Sequence, residues 1–90
     1  QIKKGSEYIQ KNLTKLNIFF KGGNVTNAVL IRLRNKKDTE KLRLFMRKKK
    51  IYIRTNFKDK IQNCIRISLG PVDKMKIFMS EFKNWLKIKR

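Results

Sequence analysis

Histidine is missing altogether from these ninety residues, and cysteine occurs once, at Cys64. Without a histidine or a cysteine pair, ordinary zinc sites have no ligands. The serine and threonine hydroxyls have no imidazole base to activate them. A single thiol excludes an internal disulfide and points to a reducing cytoplasm. No run approaches the ~18 apolar residues needed to span a bilayer. The opening QIKKGSEYIQ has basic residues but no apolar stretch behind them, so no secretory signal is visible. An initiator methionine is lacking too, and we expect Gln1 to mark a cut within a longer protein. Proline occurs once and glycine four times. No Pro/Ser-rich linker, internal repeat or low-complexity segment divides the chain, which reads as one domain over residues 1–90.

Acids are also scarce. Six of them stand against 25 lysines and arginines, a formal charge of +19, which raises nucleic acid or an anionic membrane surface as partners. The cations are spread along the whole chain rather than gathered in a tail, and the abundance of Ile, Asn and Lys also fits lysine used simply at solvated positions. What is present is globular in character: 40% of residues are hydrophobic and 10% aromatic, above the range of disordered chains.

Periodicity divides the chain. Residues 3–16 carry Ile9, Leu13 and Leu16 on one helical face. NIFFKGGNVTN reads as a short strand followed by a turn broken by Gly22-Gly23. AVLIRL, 28–33, is nearly all apolar and predicts a strand buried on both faces. NKKDTEKLRLFMRKKK places Leu42, Phe45 and Met46 at i, i+3, i+4, with Asp38 as the expected cap and a basic last turn. IYIRT, 51–55, reads as a strand, and a polar loop from Asn56 to Asn63 leads into NCIRISLGP. There Ile65, Ile67 and Leu69 alternate with Cys64, Arg66 and Ser68. Gly70-Pro71 ends that strand and starts a third helix. Its stripe of Met75, Phe78, Met79, Phe82, Trp85 and Leu86 is read as core. The predicted order, α-β-β-α-β-β-α, is an α+β two-layer sandwich: a small, mainly antiparallel sheet with helices over one face.

Reactive chemistry within the chain is poor. Glu7, Asp38, Glu40, Asp59, Asp73 and Glu81 are scattered over helix ends and loops, and the KGGN turn lacks the spacing of a phosphate loop. No catalytic residue and no metal ligand is assigned. Two binding groups stand out. Arg54 and Arg66 each lie opposite the apolar residues of their own strand. If the two strands pair as antiparallel neighbours across the 55–63 loop, both guanidinium groups leave one face of the sheet. Like charges converging there without acids suit a site for an anion, since the guanidinium fork matches carboxylate and phosphate. The plainer alternative is two cations among 25 on a wet face.

TNAVLIRL, LRLFMRKKKIYIRT, CIRISLGPVDKM and FMSEFKNWL, in that order, resemble the C-terminal small domain of pyridoxal-phosphate-dependent aminotransferases of the aspartate aminotransferase fold, closest to the histidinol-phosphate aminotransferase branch. That branch reads "sxaNfvlvrl", then a helix ending in "kkGiivr", a variable loop, "lRIsiG" and an amphipathic helix. The resemblance runs from about Gly5 to Leu86, and its most specific piece is Arg54 and Arg66 with the intervening loop, followed by Gly70. It departs where Lys48-Lys49-Lys50 stands in place of the helix-ending glycine, and where GPVD replaces a more acidic "GTxEE".

The resemblance implies that Arg66 pairs with the acidic group of the substrate, usually the α-carboxylate. It implies that Arg54 helps to hold an anionic substrate group, and that Asn27 plays a structural role. It further implies transfer of an amino group between an amino acid or amino-alcohol phosphate and a 2-oxo acid, in a cytoplasmic homodimer. Decarboxylases acting on threonine phosphate share the frame. Pyridoxal phosphate, its Schiff-base lysine and its phosphate-binding groups would belong to a large domain before Gln1, so the isolated ninety residues are expected to be inactive and to bind no cofactor. The alternative is a freestanding basic nucleic-acid-binding module. The strands lack the aromatic platform of an RNA-recognition motif, and no loop matches the GxxG clamp of K-homology domains. Contact with nucleic acid beyond non-specific charge is therefore not expected, nor is membrane binding, because the third helix spends its apolar stripe on the core.

Overall fold

The computed structural model describes residues 2–23 and 27–89. The tip of the glycine turn, 24–26, and with it the first residue of the TNAVLIRL phrase, lies outside them. Three helices, α1 (Ile2–Lys15), α2 (Lys36–Lys48) and α3 (Val72–Lys89), accompany strands β1 (Phe20–Gly22), β2 (Ala28–Arg32) and β3 (Cys64–Ser68). The sheet order is β1-β2-β3, antiparallel throughout, and the whole is the expected α+β two-layer sandwich.

Register decides which side chains meet the helices. Val29 lies opposite Ile67 and Ile31 opposite Ile65. These four are buried together with Ile9 and Leu13 of α1, Leu42 and Met46 of α2, and Met75, Phe78, Met79, Phe82 and Trp85 of α3. The stripe of α3 is core, as its spacing predicts. Phe78, Phe82 and Trp85 stack in sequence, with ring centroids 5.6 and 6.3 Å apart. Phe19 and Phe20, adjacent in sequence, part company at the edge: Phe20 packs on the core and Phe19 is exposed.

Three expectations need correction. β2 is covered on one face only: Val29 and Ile31 are buried, whereas Ala28 and Leu30 are half-buried and Arg32 is exposed. Its apolar run therefore reflects one packed face and one thinly apolar outer face. The N-cap of α2 is Asn35, whose side chain accepts from the backbone N–H of Asp38 at 2.9 Å, while Asp38 itself sits buried in the first turn. An extended Asn35 offers its oxygen three residues ahead, as a cap must, and Asp38 is already inside the helix. IYIRT makes one isolated bridge, at Arg54, instead of a strand. It runs between two left-handed residues, Lys50 (φ 62) and Asn56 (φ 67), and of its five residues only Arg54 exchanges backbone hydrogen bonds with β3.

Lys50 also explains how α2 stops. The N–H of Ile51 bonds the carbonyl of Met46 and that of Lys50 bonds Arg47, both at 2.9 Å, which is the Schellman arrangement with Lys50 at its left-handed position. α1 ends the same way through Asn17 (φ 59), with Ile18 bonded to Leu13 and Asn17 to Thr14. Asparagine tolerates that conformation; lysine adopts it at a cost of about 1–2 kcal/mol.

Two stability predictions follow from the backbone. Lys50→Gly is expected to stabilise the fold by about 0.5–1 kcal/mol, the relief of left-handed strain less the entropy of glycine. Gly5→Ala is expected to destabilise by roughly 1–3 kcal/mol, because a Cβ on α1 would lie 2.0 Å from the Gly70 carbonyl oxygen. Urea unfolding of both variants, with exposed Lys4→Ala as reference, checks both signs.

Candidate functional site

Arg54 and Arg66 meet through their backbones. The N–H of each donates to the carbonyl of the other at 2.9 Å, which makes them directly opposed residues of an antiparallel hydrogen-bonded pair. Directly opposed residues project from the same face, so the convergence inferred from the pattern holds even though IYIRT forms no continuous strand. Both side chains are exposed. Neither makes an ion pair or side-chain hydrogen bond among the described residues. On its other side Arg66 lies opposite Leu30, which in turn lies opposite Lys21. One row across the outer face thus reads Lys21, Leu30, Arg66, Arg54: three cations around an aliphatic side chain, with no acid.

The backbone beneath this row is held firmly. On β3, Ile65 and Ile67 are buried on either side of Arg66. On the other segment Ile53 packs against the core, and Thr55 is buried and donates through Oγ1 to Glu40 Oε1 at 3.0 Å. The second oxygen of Glu40 accepts from Arg43 Nε at 3.0 Å and lies 2.9 Å from its terminal nitrogen. The hydrogen bond from Arg43, followed by that from Thr55, holds the Glu40 carboxyl below its ordinary value of 4.5. Glu40 thereby ties α2 to the residue next to Arg54. Nothing in the sequence signals this link beyond the i, i+3 spacing of Glu40 and Arg43. Asn27 is exposed at its side chain, and its backbone carbonyl accepts from the N–H of Leu69 at 2.8 Å, extending the β2–β3 pairing by one bond.

Surface clefts lie elsewhere. One, of about 740 Å³, lies between Phe19, Arg32, Arg34 and Trp85. Two smaller ones, about 370 and 220 Å³, flank Tyr52. Neither Arg54 nor Arg66 lines any of them, so the arginine pair stands on an open face and would need a second surface opposite to enclose a ligand.

The lysines do not suit a Schiff base. Those whose side chains are described are exposed, except Lys83, which is half-buried and donates to Asn12 Oδ1 at 3.0 Å. A Schiff-base lysine requires an amine lowered in pKa by burial or by neighbouring cations, and none here is buried in a cleft. The described residues therefore do not by themselves fit pyridoxal phosphate. Among them no group of three or more Cys, Asp or Glu side chains is placed to hold a metal ion, and no helix is long and apolar enough to cross a membrane.

No family model, curated protein or solved structure matches the chain.

The Glu40 link has a pH dependence of definite sign. A carboxyl whose pKa is depressed on folding contributes stability above its ordinary value and loses it as pH falls through the folded value. Melting temperature should thus decline below pH 4.5 more steeply for the unaltered chain than for Glu40→Gln. Parallel curves would show that Thr55 is held by other contacts.

Proposed function

We propose that these ninety residues are the C-terminal small domain of a pyridoxal-phosphate-dependent aminotransferase, in which Arg66 and Arg54 hold the anionic group of the substrate. The observation that carries this reading is the pair of opposed, unpartnered arginines on a rigid backbone. A guanidinium fork recognises carboxylate or phosphate only if its orientation is reproducible. Arg66 issues from a strand whose neighbouring side chains are buried, and Arg54 is fixed to it by two backbone hydrogen bonds. Lys50 gives secondary support. It occupies a left-handed position, the conformation glycine favours, at the place where the resembling sequences carry glycine.

In this reading the domain supplies recognition and the large domain supplies the cofactor, which carries the carbon–nitrogen chemistry when bound. The open face is the side turned toward the large domain. Closure of the two would bring the arginines over the substrate and remove water around the ion pairs, strengthening them. The amino donor is an amino acid or an amino-alcohol phosphate, and the acceptor is a 2-oxo acid.

In the full-length enzyme, Arg66→Lys keeps the charge but loses the fork. The expected fall in kcat/KM is roughly two orders of magnitude or more, since charge-assisted hydrogen bonds contribute about 1.5–3 kcal/mol each. Thermal stability should hardly change, because the side chain leaves the core. Arg54→Lys should weaken substrate binding less for a substrate with one anionic group and comparably for one with two. Intact turnover in Arg66→Lys, with turnover lost instead in the control Lys48→Ala, would make Arg66 a surface cation and end the proposal.

A further inference from the structure

Tyr52 is the most exposed of the large hydrophobic side chains among the described residues, 75% accessible. The other exposed aromatic, Phe19, has the Arg32 guanidinium 4.5 Å above its ring. No cation or second ring lies against Tyr52 among the described residues. The ring stands between two clefts that it helps to line. Arg43 and Arg47 line one, and Lys49, Lys50 and Lys74 line the other. Arg43 is matched by Glu40 and Lys49 by Glu81. Arg47, Lys50 and Lys74 have no ion pair among the described residues, which leaves unneutralised charge on either side of an exposed aromatic ring.

We propose that this surface binds single-stranded nucleic acid, one base stacking on Tyr52 and the flanking phosphates lying against Arg47 on one side and Lys50 and Lys74 on the other. A bare ring between basic grooves is the arrangement that binds single strands without regard to sequence: stacking accepts any base, and the cations follow the backbone. A duplex keeps its bases paired and offers Tyr52 nothing to stack on. An anionic membrane would satisfy the lysines equally well, but the ring is flanked by cations and not by the broad apolar face that membrane insertion needs. The net charge of +19 draws any polyanion to the molecule; Tyr52 adds a preference for unpaired bases. Charge counting along the sequence does not reveal this, because Lys74 reaches the site only through the fold. The inference is independent of the aminotransferase reading.

The backbone fixes the ring's position. Lys50 and Ile51 are bonded to the end of α2, and Ile51 and Ile53, on either side of Tyr52, pack against the core. Replacement of so exposed a side chain should leave the fold intact, which circular dichroism checks.

Fluorescence anisotropy with a labelled dodecamer of oligo(U), the matching oligo(dT), a duplex of equal charge and phosphatidylserine vesicles tests the proposal. The ninety-residue chain should bind both single strands more tightly than the duplex or the vesicles at physiological salt. Tyr52→Ala should weaken single-strand binding about tenfold, the scale of one lost base stack, with duplex binding unchanged. Tyr52→Trp should retain it, and Phe19→Ala should alter it little. Lys50→Gln should reduce the slope of log affinity against log salt by roughly one contact. Equal affinity for duplex or vesicles, or a Tyr52→Ala chain that binds single strands as well as the parent, would overturn it.

Discussion

The antiparallel pairing of β2 with β3 is the contact on which the remaining structure depends. Val29 against Ile67 and Ile31 against Ile65 form the apolar floor on which α1 and α3 rest. Because side chains alternate with a period of two, a slip of one residue in β3 would bury Arg66 and expose Ile65 and Ile67. Burying an unpaired guanidinium is far costlier than any local gain from the slip. The core therefore enforces both the register and the outward direction of Arg66. The Arg54 bridge then inherits its position from β3, since its two hydrogen bonds are made to Arg66 itself.

The chain carries its charge by keeping it wet. The ion pair of Glu40 with Arg43 is partly exposed, as is that of Glu81 with Lys49. Pairs of that kind contribute little to stability, so folding rests on the apolar layer between sheet and helices. Where a cation finds company it is often a ring: Arg32 over Phe19, Lys49 over Phe45 and Lys76 near Tyr8. These contacts use the aromatic quadrupole in place of the missing acids. They also mark out, by contrast, the places where cations and aromatic faces remain uncommitted: the Arg54–Arg66 row and the surface around Tyr52.

Most of the architecture was legible from periodicity. Ile9 and Leu13, Leu42 and Met46, and Met75 through Trp85 are buried at the spacings that marked them as helical faces. The alternation of Ile65, Ile67 and Leu69 with Arg66 and Ser68 identified the side of β3 that packs. What misled was local chemistry read without geometry. Asp38 and Asn35 are both capping residue types, and only the extended backbone at Asn35 decides between them. AVLIRL looked buried on both faces because residue type records hydrophobicity and not the number of layers above it. IYIRT has strand composition and strand length, yet only Arg54 meets β3, because pairing depends on where the chain lies relative to the sheet edge and not on residue type.

Periodicity along the chain was enough for the class of fold, the core and the placing of two arginines on the outer side of their segments, because burial of apolar side chains at periods of 3.6 and 2 is a local property. The rest came from the way distant segments meet. Their meeting placed Arg54 opposite Arg66 across a loop and left both without an acid. It joined Glu40 to Thr55 across fifteen residues and gathered Lys74 beside Lys50 and Tyr52. Contacts between distant segments depend on how α2 and α3 seat against the sheet, and that seating is set by packing volumes and backbone turns that no short stretch of residues specifies.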